Sequence, residues 1–431
     1  MTPDARLSAA VEILHVIGEG RRPAAEALKD WGSSHRFAGS SDRAGVAGLV
    51  YDALRVRASS AWIMGEDTPR AILLGSLRQA RGMEAASIAA ACTGGAHAPD
   101  PLSPNEFERL SSPDPLAGAP DHVRGDYPAW LAENFAEAFG ETAVDEGRAL
   151  AARAPLDLRV NTLKSDRDKA LRALSHLKPQ PTPLSPWGLR IELNREGRGP
   201  VLSGEPSYAK GRVEVQDEGS QLAVLLSGAR PGWQVLDLCA GGGGKTLALA
   251  AMMDNRGQIY AADSDARRLG ASFERLERAG VRNVQVRPPR GEQDVLADIE
   301  GRCDLVLVDA PCTGTGAWRR NPDAKWRIRP GALEQRVVQQ NLALAQAVRF
   351  VKPGGVLVYV TCSLLRAENE DRIAAFLSAQ SDFLPLEAGR LAERAGLPAL
   401  AQRASPWGPG LRLSPLTTGT DGFYIATLLR S

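Results

Sequence analysis

The stretch QVLDLCAGGGGKT, residues 234–246, decides the fold class of this chain. A strand-like run leads directly into four consecutive glycines, which let the backbone turn tightly and approach a ligand that side chains would obstruct. The spacing is not that of a phosphate-binding loop, because Cys239 stands where the first glycine of that loop belongs, and it only approaches the dinucleotide pattern GxGxxG. The stretch alone therefore leaves open a nucleoside-cofactor loop or a structural turn.

Strand-like and helical segments alternate downstream of this loop. The strand-like segments are GQIYAAD (257–263), NVQVR (283–287), CDLVLVDAP (303–311) and GGVLVYVTCS (354–363). Helical segments separate them, the last near 331–351. This alternation predicts a mostly parallel sheet covered by helices on both faces, a Rossmann-like α/β domain that binds ligands at the carboxyl ends of its strands.

Aspartates follow several of these strands. Asp263 lies about 20 residues beyond the glycine loop, where an acid can accept hydrogen bonds from both ribose hydroxyls. Together with Asp265 and Asp309 it suits an adenosine-containing ligand that carries a sulfonium and an ammonium group. S-Adenosyl-L-methionine fits this description. The alternative is that these aspartates only cap the helices that follow them.

Two of the five cysteines, Cys312 and Cys362, follow strands of the predicted sheet. A buried cysteine is commonly only a small hydrophobic residue, but two thiols at one sheet edge indicate chemistry. Methylation of carbon 5 of cytosine needs such a thiol, because a thiolate must first add to carbon 6 to make carbon 5 nucleophilic. A donor is then needed near ring nitrogen 3, and Asp309 is the candidate. Spacing alone does not say which cysteine is the nucleophile.

Cations and aromatic residues alternate just after Cys312. The candidates for RNA contact in this segment are Arg319, Arg320, Lys325, Trp326 and Arg327. Such interleaving fits a flipped base and its phosphates, so single-stranded or loop RNA is the expected form of substrate. The alternative is that the tryptophans belong to a core and the arginines are solvated.

Composition and domain organisation complete the expectations. The chain has 431 residues and a formal net charge of +1. It shows no zinc-ligand spacing, no apolar run of membrane-spanning length and no signal pattern, so we expect a cytoplasmic protein without a metal or membrane partner. We expect four parts: a helical bundle at 1–93, a Pro-rich linker at 94–127, a small α/β module at 128–205 and the Rossmann-like domain at 206–431.

These motifs together resemble the RsmB/Sun (NOL/Nop/Sun) family of S-adenosylmethionine-dependent RNA cytosine-5 methyltransferases. The resemblance rests on DLCAGGGGKT (237–246), LVDAPCTGTG (307–316), WRRNPDAKW (318–326), YVTCS (359–363) and RAENE (366–370). It covers roughly residues 127–431. The helical N-terminal part is similar to an antitermination-factor RNA-binding bundle that some members carry.

The resemblance implies a class I methyltransferase domain, a small RNA-recognition-like module and an all-helical N-terminal domain. It implies that Cys362 is the nucleophile and that Cys312 assists product release. The cofactor-binding positions carried over are Cys239, Ala240, Gly241, Gly242, Gly243, Gly244, Lys245, Asp263 and Asp309. Ribosomal RNA is the expected substrate, and the alternatives are transfer RNA or a non-catalytic RNA-binding ribosome assembly factor.

Two features depart from the family pattern. Gly241 and Gly242 stand where the family usually has Ala and Pro, so we expect a more flexible loop. The family also tends to place an acid after the strand that corresponds to NVQVR, to hold the adenine amino group. Here no acid follows directly, although Asp294 could substitute.

Overall fold

The computed structural model describes residues 1–194 and 199–431, which form two units. The first unit comprises residues 1–153 and 318–330, and the second comprises 154–194, 199–317 and 331–431. The segment 318–330 therefore belongs to the first unit, although the residues before and after it in sequence belong to the second. None of the helices in the described ranges is long and apolar enough to cross a membrane.

The first unit is helical, as predicted for the N-terminal part. Thr2 caps the first helix by accepting a hydrogen bond from the backbone of Ala5. Apolar residues at helical spacing, such as Ile13 and Ile17, face a common core. The helices are Pro3–Gly20, Ala24–Ser34, Ser40–Arg55, Arg57–Met64, Pro69–Gln79, Ala85–Ala91, Pro104–Leu110, Asp121–Arg124, Ala132–Phe139, Ala143–Ala151 and Ala324–Arg327.

The predicted linker at 94–127 is instead a folded part of this helical unit. The helix Pro104–Leu110 lies within it and begins at a capping box formed by Ser103 and Glu106. Leu110 is 1% exposed and belongs to the core of the bundle. Prolines misled the prediction because a proline at the first helical position starts a helix as readily as an interior proline ends one.

The small α/β module opens the second unit. Its strands are β1 (Leu156–Val160), β2 (Gln180–Pro181), β3 (Gly188–Ile191) and β4 (Val213–Val215), and they form an antiparallel sheet in the order β2-β3-β1-β4. The helix Arg167–Ala173 follows β1. Strand β4 lies beyond the predicted boundary at residue 205. The helices at 132–151 belong to the first unit, so the module as a compact body begins after residue 153.

The main sheet has eight strands. They are β5 (Gln234–Asp237), β6 (Gln258–Ala262), β7 (Val284–Arg287), β8 (Cys303–Asp309), β9 (Val351–Thr361), β10 (Phe383–Pro385), β11 (Leu411–Leu413) and β12 (Phe423–Arg430). Their order is β10-β12-β9-β8-β5-β6-β7, with β11 paired to β12. Strands β5 to β9 are parallel, whereas β12 runs antiparallel to β9. The predicted Rossmann-like fold is confirmed.

Helices cover both faces of this sheet. Along β8, Leu305 and Leu307 enter one apolar cluster while Val306 and Val308 enter another, as alternation along a doubly covered strand requires. The helices of the second unit beyond β3 are Pro206–Ala209, Glu218–Ser227, Gly244–Met252, Ala266–Gly270, Ser272–Ala279, Ala332–Val348, Glu370–Ala379, Ala388–Arg394 and Pro415–Thr418.

The strand order places a crevice at the carboxyl edge of the sheet. Strand β5 pairs with β6 on one side and β8 on the other, and the connections leave in opposite directions there. Ligands bind at such a switch point, outside the carboxyl ends of the strands. The predicted site residues follow β5, β6, β8 and β9 at this edge.

Candidate active site

The glycine loop after β5 is shaped by two left-handed residues. Gly241 has φ +53° and Gly243 has φ +79°. A Cβ on Gly241 would lie 2.7 Å from the Arg268 guanidinium, and one on Gly243 would lie 2.9 Å from the Ser272 Cβ. The left-handed backbone favours glycine at both positions, and at Gly243 a side chain would also lack space, whereas the Arg268 guanidinium near Gly241 could move. The turn delivers the chain into the helix Gly244–Met252, whose amino end faces the crevice.

The four glycines do not leave this loop unsupported. Arg275 donates a hydrogen bond of 2.5 Å to the carbonyl of Gly242, and its other nitrogen lies 3.2 Å from Glu214 of β4. Arg278 pairs with the same carboxylate at 2.7 Å. The expected extra flexibility is thus countered by side chains from the helix Ser272–Ala279, which hold the loop carbonyl in place.

Asp263 after β6 is a buried acceptor at the loop. One carboxylate oxygen accepts the Gly241 N–H at 2.8 Å, and the other accepts the Asp265 N–H at 2.9 Å. Each carboxylate oxygen has two acceptor positions, so both retain one for a ligand hydroxyl. The residues present therefore fit the ribose of an adenosine-containing methyl donor. Asp265 instead caps the next helix through its bond to Arg267, as the alternative expectation had it.

Lys245 and Asp309 form an ion pair beneath the crevice, with Nζ and Oδ2 2.6 Å apart. Burial by itself lowers the pKa of Lys245, but the charge and hydrogen bond of Asp309, and the charge of a Cys362 thiolate, outweigh burial and raise it. The ammonium also lies 5.4 Å from the centre of the Phe423 ring. Lys245 is therefore held as a cation between the cofactor loop and the strand ends of β8 and β9.

Cys312 and Cys362 lie side by side, with their Sγ atoms 3.3 Å apart. The backbone N–H of Gly316 donates to the carbonyl of Cys362 at 2.9 Å, which ties the two loops together. The pKa of Cys312 is raised well above its ordinary value, first by the hydrogen bond to Cys362 and then by burial and by the charges of Cys362 and Glu368. Cys312 is therefore the member of the pair that keeps its proton.

Glu368 joins the two cysteine loops, and sequence reasoning assigned it no role. Its side chain is fully buried and accepts bonds from the Thr313 N–H at 2.8 Å, from the Thr313 hydroxyl at 2.5 Å and from the Ser363 hydroxyl. Gln340 donates to it at 3.0 Å. The only signal was its place in RAENE, six residues after Cys362. One carboxylate thus fixes the residues that follow both thiols.

Two further side chains, those of Asp237 and Cys239, lie near the loop. Burial raises the pKa of Asp237 to about 7, and Thr246 donates a hydrogen bond of 2.7 Å to it. Burial also raises the pKa of the Cys239 thiol, which packs against the core of the sheet.

Asp294 pairs with Arg349, just ahead of β9, at 2.9 Å. Asp294 therefore lies toward the amino ends of the strands and does not fit the adenine role considered for it.

The cation-rich segment after Cys312 packs within the helical unit. Lys325 is 1% exposed, and its Nζ donates to the carbonyls of Arg55 and Asp126 at 2.6 and 2.7 Å. Burial lowers its pKa to about 7. The prediction that Lys325 contacts RNA is therefore wrong, because its ammonium is committed to the protein backbone. Trp318 is also in a core, stacked on Phe135, as the alternative expectation held.

The other candidates of this segment keep part of their surface. Arg319 is buried, whereas Arg320, Trp326 and Arg327 are half-buried. The Trp326 indole N–H donates to the carbonyl of Leu54 at 2.6 Å, and Arg327 pairs with Asp323 at 3.0 Å. RNA contact by these four residues stays a prediction. Within residues 1–194 and 199–431, no group of three or more His, Cys, Asp or Glu side chains is arranged to hold a metal ion.

Comparison with known proteins agrees with this geometry. The family model described as 16S rRNA methyltransferase RsmB/F matches residues 224–429, and that of the RsmF/B-like ferredoxin-like domain matches residues 127–196. The second match begins close to the predicted start of the small module at residue 128. It includes the helices that the structure groups with the first unit.

Individual relatives and structures extend the likeness. The ribosomal RNA small subunit methyltransferase B of Sodalis glossinidius is 32% identical over 75% of this chain and 70% of its own length. The crystal structure of PH0851 matches with a TM-score of 0.72 and 26% identity over 99% of both chains. NSun6 from Pyrococcus horikoshii, solved with the S-adenosylmethionine analogue SFG, matches in fold with a TM-score of 0.60 and 22% identity, over 70% of this chain and 98% of its own.

The Rossmann-like sheet, the glycine loop with Asp263 and the matched families define an S-adenosylmethionine-dependent methyltransferase. The relative from Sodalis, 32% identical over most of both chains, shows to which family of methyltransferases the chain belongs. The chain belongs to the RsmB/F methyltransferase family.

Proposed function

We propose that this protein methylates carbon 5 of a cytosine in ribosomal RNA through a covalent adduct between Cys362 and the base. The observation that carries the proposal is the pair of thiols 3.3 Å apart at the ends of β8 and β9, next to the Lys245–Asp309 pair. A methyltransferase that acts on oxygen or nitrogen needs no thiol there. Two adjacent thiols suit a reaction in which one adds to carbon 6 and the other handles a proton.

Cys362 acts as the nucleophile. Cys312 holds its proton because its pKa is raised, so we assign the nucleophilic sulfur to Cys362. Charge on Cys362 is one of the causes that raise the pKa of Lys245, so the Lys245 ammonium lies near enough to favour a negative charge on that sulfur. The Cys362 sulfur forms a bond to carbon 6 of the cytosine, and the ring electrons move toward carbon 5 and ring nitrogen 3.

Asp309 and Lys245 stabilise the negative charge that develops at the ring. Lys245 Nζ donates to Asp309 Oδ2 across 2.6 Å, and this charge-assisted hydrogen bond keeps the Lys245 ammonium beside Asp309, where a donor to ring nitrogen 3 is needed. The glycine loop and Asp263 would hold S-adenosylmethionine, which would supply the electrophilic methyl group and leave as S-adenosylhomocysteine. Carbon 5 takes the methyl, which leaves a saturated adduct with a proton still on carbon 5.

Cys312 completes the reaction. Once the Cys362 sulfur is bonded to carbon 6, it is no longer a charged acceptor, and the largest cause that raises the pKa of Cys312 disappears. Cys312 then loses its own proton to solvent and removes the proton from carbon 5. The electron pair re-forms the double bond between carbons 5 and 6, and the bond from carbon 6 to Cys362 breaks to release product.

The choice of ribosomal RNA rests on the family, whose matching model and relatives are named for that substrate. Transfer RNA is the alternative substrate for the same chemistry, and a non-catalytic RNA-binding assembly factor is the alternative function. The intact pair of thiols favours an enzyme over the assembly factor.

Incubation of the protein with tritiated S-adenosylmethionine and unmodified small-subunit ribosomal RNA, followed by nucleoside analysis, tests the proposal. We expect labelled 5-methylcytidine. Label found only in transfer RNA retains the chemistry and changes the substrate. If label is absent from every RNA while the cofactor still binds, the assembly-factor function replaces the enzymatic one.

A further inference from the structure

A large cleft lies wholly within the helical unit, apart from the catalytic residues. Its volume is about 1220 Å³, and its walls come from the helix Arg57–Met64, the stretch around Trp130 and the segment 323–330. The mechanism proposed above uses none of its residues. The cleft is large enough for several nucleotides of single-stranded RNA or for a short peptide. The charge and the aromatic residues of its lining decide between these two ligands.

The lining is cationic. Six arginine and lysine side chains line the cleft against three acidic ones, Glu66, Asp67 and Asp323. Arg57 pairs with Asp67, Arg327 pairs with Asp323, and Lys325 donates to backbone carbonyls, which leaves Arg21, Arg109 and Arg329 against Glu66. Arg21 and Arg329 are exposed at its edge, and no hydrogen bond or ion pair from either side chain occurs in the described part of the chain. Exposed cations without protein partners at the edge of a cleft favour a polyanionic ligand.

Aromatic surfaces accompany these cations. Trp62 is 41% exposed within the cleft, an unusual position for so large an apolar side chain. The Trp326 ring is fixed by the bond from its N–H to the Leu54 carbonyl, and the Arg57 guanidinium lies 5.7 Å from the ring centre. Bases stack on such rings regardless of sequence, whereas the side chains of Asp and Glu have no aromatic ring to stack.

Buried hydrogen bonds hold one wall of the cleft in place. Lys325 donates to two backbone carbonyls from a fully buried position, and Asp126 accepts hydrogen bonds of 2.9 and 2.8 Å from the backbone and hydroxyl of Ser59. These contacts hold the segment 323–330 against the helices of the unit. Because the binding surface is already ordered, little conformational entropy is lost when a ligand is bound.

We propose that this cleft is an RNA-docking site that holds a single-stranded segment of the substrate by base stacking on Trp62 and Trp326 and by phosphate contacts to Arg21 and Arg329. None of the residues of this site takes part in the proposed methyl transfer. The identity of the RNA rests on the proposed function, but the docking of single-stranded RNA does not depend on methyl transfer.

The test measures binding of a fluorescein-labelled single-stranded RNA of about 10 nucleotides to the full chain by anisotropy. Trp62→Ala removes a stacking surface, and the double variant Arg21→Glu/Arg329→Glu removes two phosphate contacts. Phe37→Ala and Arg36→Glu are matched controls, because both residues are exposed in the same helical unit and neither lines the cleft.

We expect Trp62→Ala to bind the RNA about tenfold more weakly, and the double variant to lower the slope of log affinity against log salt by about 1.4. Both controls bind like the wild type. With ribosomal RNA as substrate, the cleft variants raise KM and leave kcat unchanged. A merely structural role would not alter the salt slope, and melting curves verify that each variant is folded.

The proposal is overturned if the folded cleft variants bind the RNA as tightly as the two controls do, or if polyglutamate binds in the cleft and the RNA does not. Failure of the proposed function has a different signature, in which the cleft variants lose RNA binding but the wild-type protein labels no RNA. The two outcomes are therefore distinguishable in one set of proteins.

Discussion

The Sγ atoms of Cys312 and Cys362 lie 3.3 Å apart although 50 residues separate them in sequence. They meet because β8 and β9 are parallel neighbours, so the loops after the two strands leave the sheet side by side. The hydrogen bond between the thiols raises the pKa of Cys312, so Cys312 keeps its proton. Two chemically identical side chains thus acquire the two roles that the proposed reaction needs.

Replacement of Cys362 by alanine should abolish methyl transfer and leave cofactor affinity nearly unchanged. The thiol adds to the base, whereas the cofactor is held by the glycine loop and Asp263. Calorimetric titration with S-adenosylmethionine, together with label transfer to RNA, measures both. Cys92→Ala, which alters a thiol in the helical unit, is the control and keeps activity. Loss of cofactor binding in Cys362→Ala would assign Cys362 a structural role instead.

Glu368→Gln should lower both stability and kcat. The amide nitrogen then faces the donors of Thr313 and Ser363, so buried hydrogen bonds are lost at a cost of about 1–3 kcal/mol. Urea denaturation measures the free energy of unfolding, and steady-state kinetics should show lower kcat with an unchanged KM for S-adenosylmethionine. Glu393→Gln, on an exposed helical turn of the same unit, serves as control. Wild-type behaviour of Glu368→Gln would refute its positioning role.

Gly243→Ala should destabilise the fold by about 1–2 kcal/mol and weaken cofactor binding. Its φ of +79° is strained for alanine, and the new Cβ would lie 2.9 Å from Ser272. The neighbouring Gly244→Ala is the matched control for stability, because its Cβ would find its nearest atom at 3.8 Å. Thermal melting compares the two. Equal melting temperatures would show that the left-handed turn is not required.

The stability of the wild type relative to Asp237→Asn should fall as the pH rises from about 4 to about 7 and then level off. The ordinary pKa of 3.8 applies in the unfolded chain, whereas burial raises the folded value to about 7. Between these values the folded state alone binds the proton, so stability decreases with pH, by at most about 1.4 kcal/mol per pH unit. Urea denaturation at several pH values measures this difference. A difference independent of pH would contradict the raised pKa.

The sheet and its functional edge could be predicted because the sequence shows where each apolar strand ends. The glycine loop, Asp263, Asp309, Cys312 and Cys362 each follow an apolar strand, and parallel strands bring their carboxyl ends to one edge. The fold therefore required no information about distant contacts.

Other features depend on contacts that local patterns do not specify. Glu368 was missed because an acidic residue in a polar stretch of sequence is usually exposed to solvent. Its burial depends on the loops after Cys312 and Cys362, which are distant in sequence. Lys325 was assigned to RNA because composition does not reveal which cation of a mixed segment points inward. The prolines of 94–127 predicted a linker, although one of them, Pro104, is the first residue of a helix.

The central claim, covalent catalysis by Cys362, is tested most directly by Cys312→Ala with S-adenosylmethionine and the RNA that the wild type labels. Loss of the proton acceptor should trap the methylated adduct, visible as a slower band on a denaturing gel. After nuclease and protease digestion, mass spectrometry should find methylated cytidine on the peptide that contains Cys362. The double variant Cys312→Ala/Cys362→Ala should give no band. An adduct on another residue, or none under conditions in which the wild type turns over, would contradict the account.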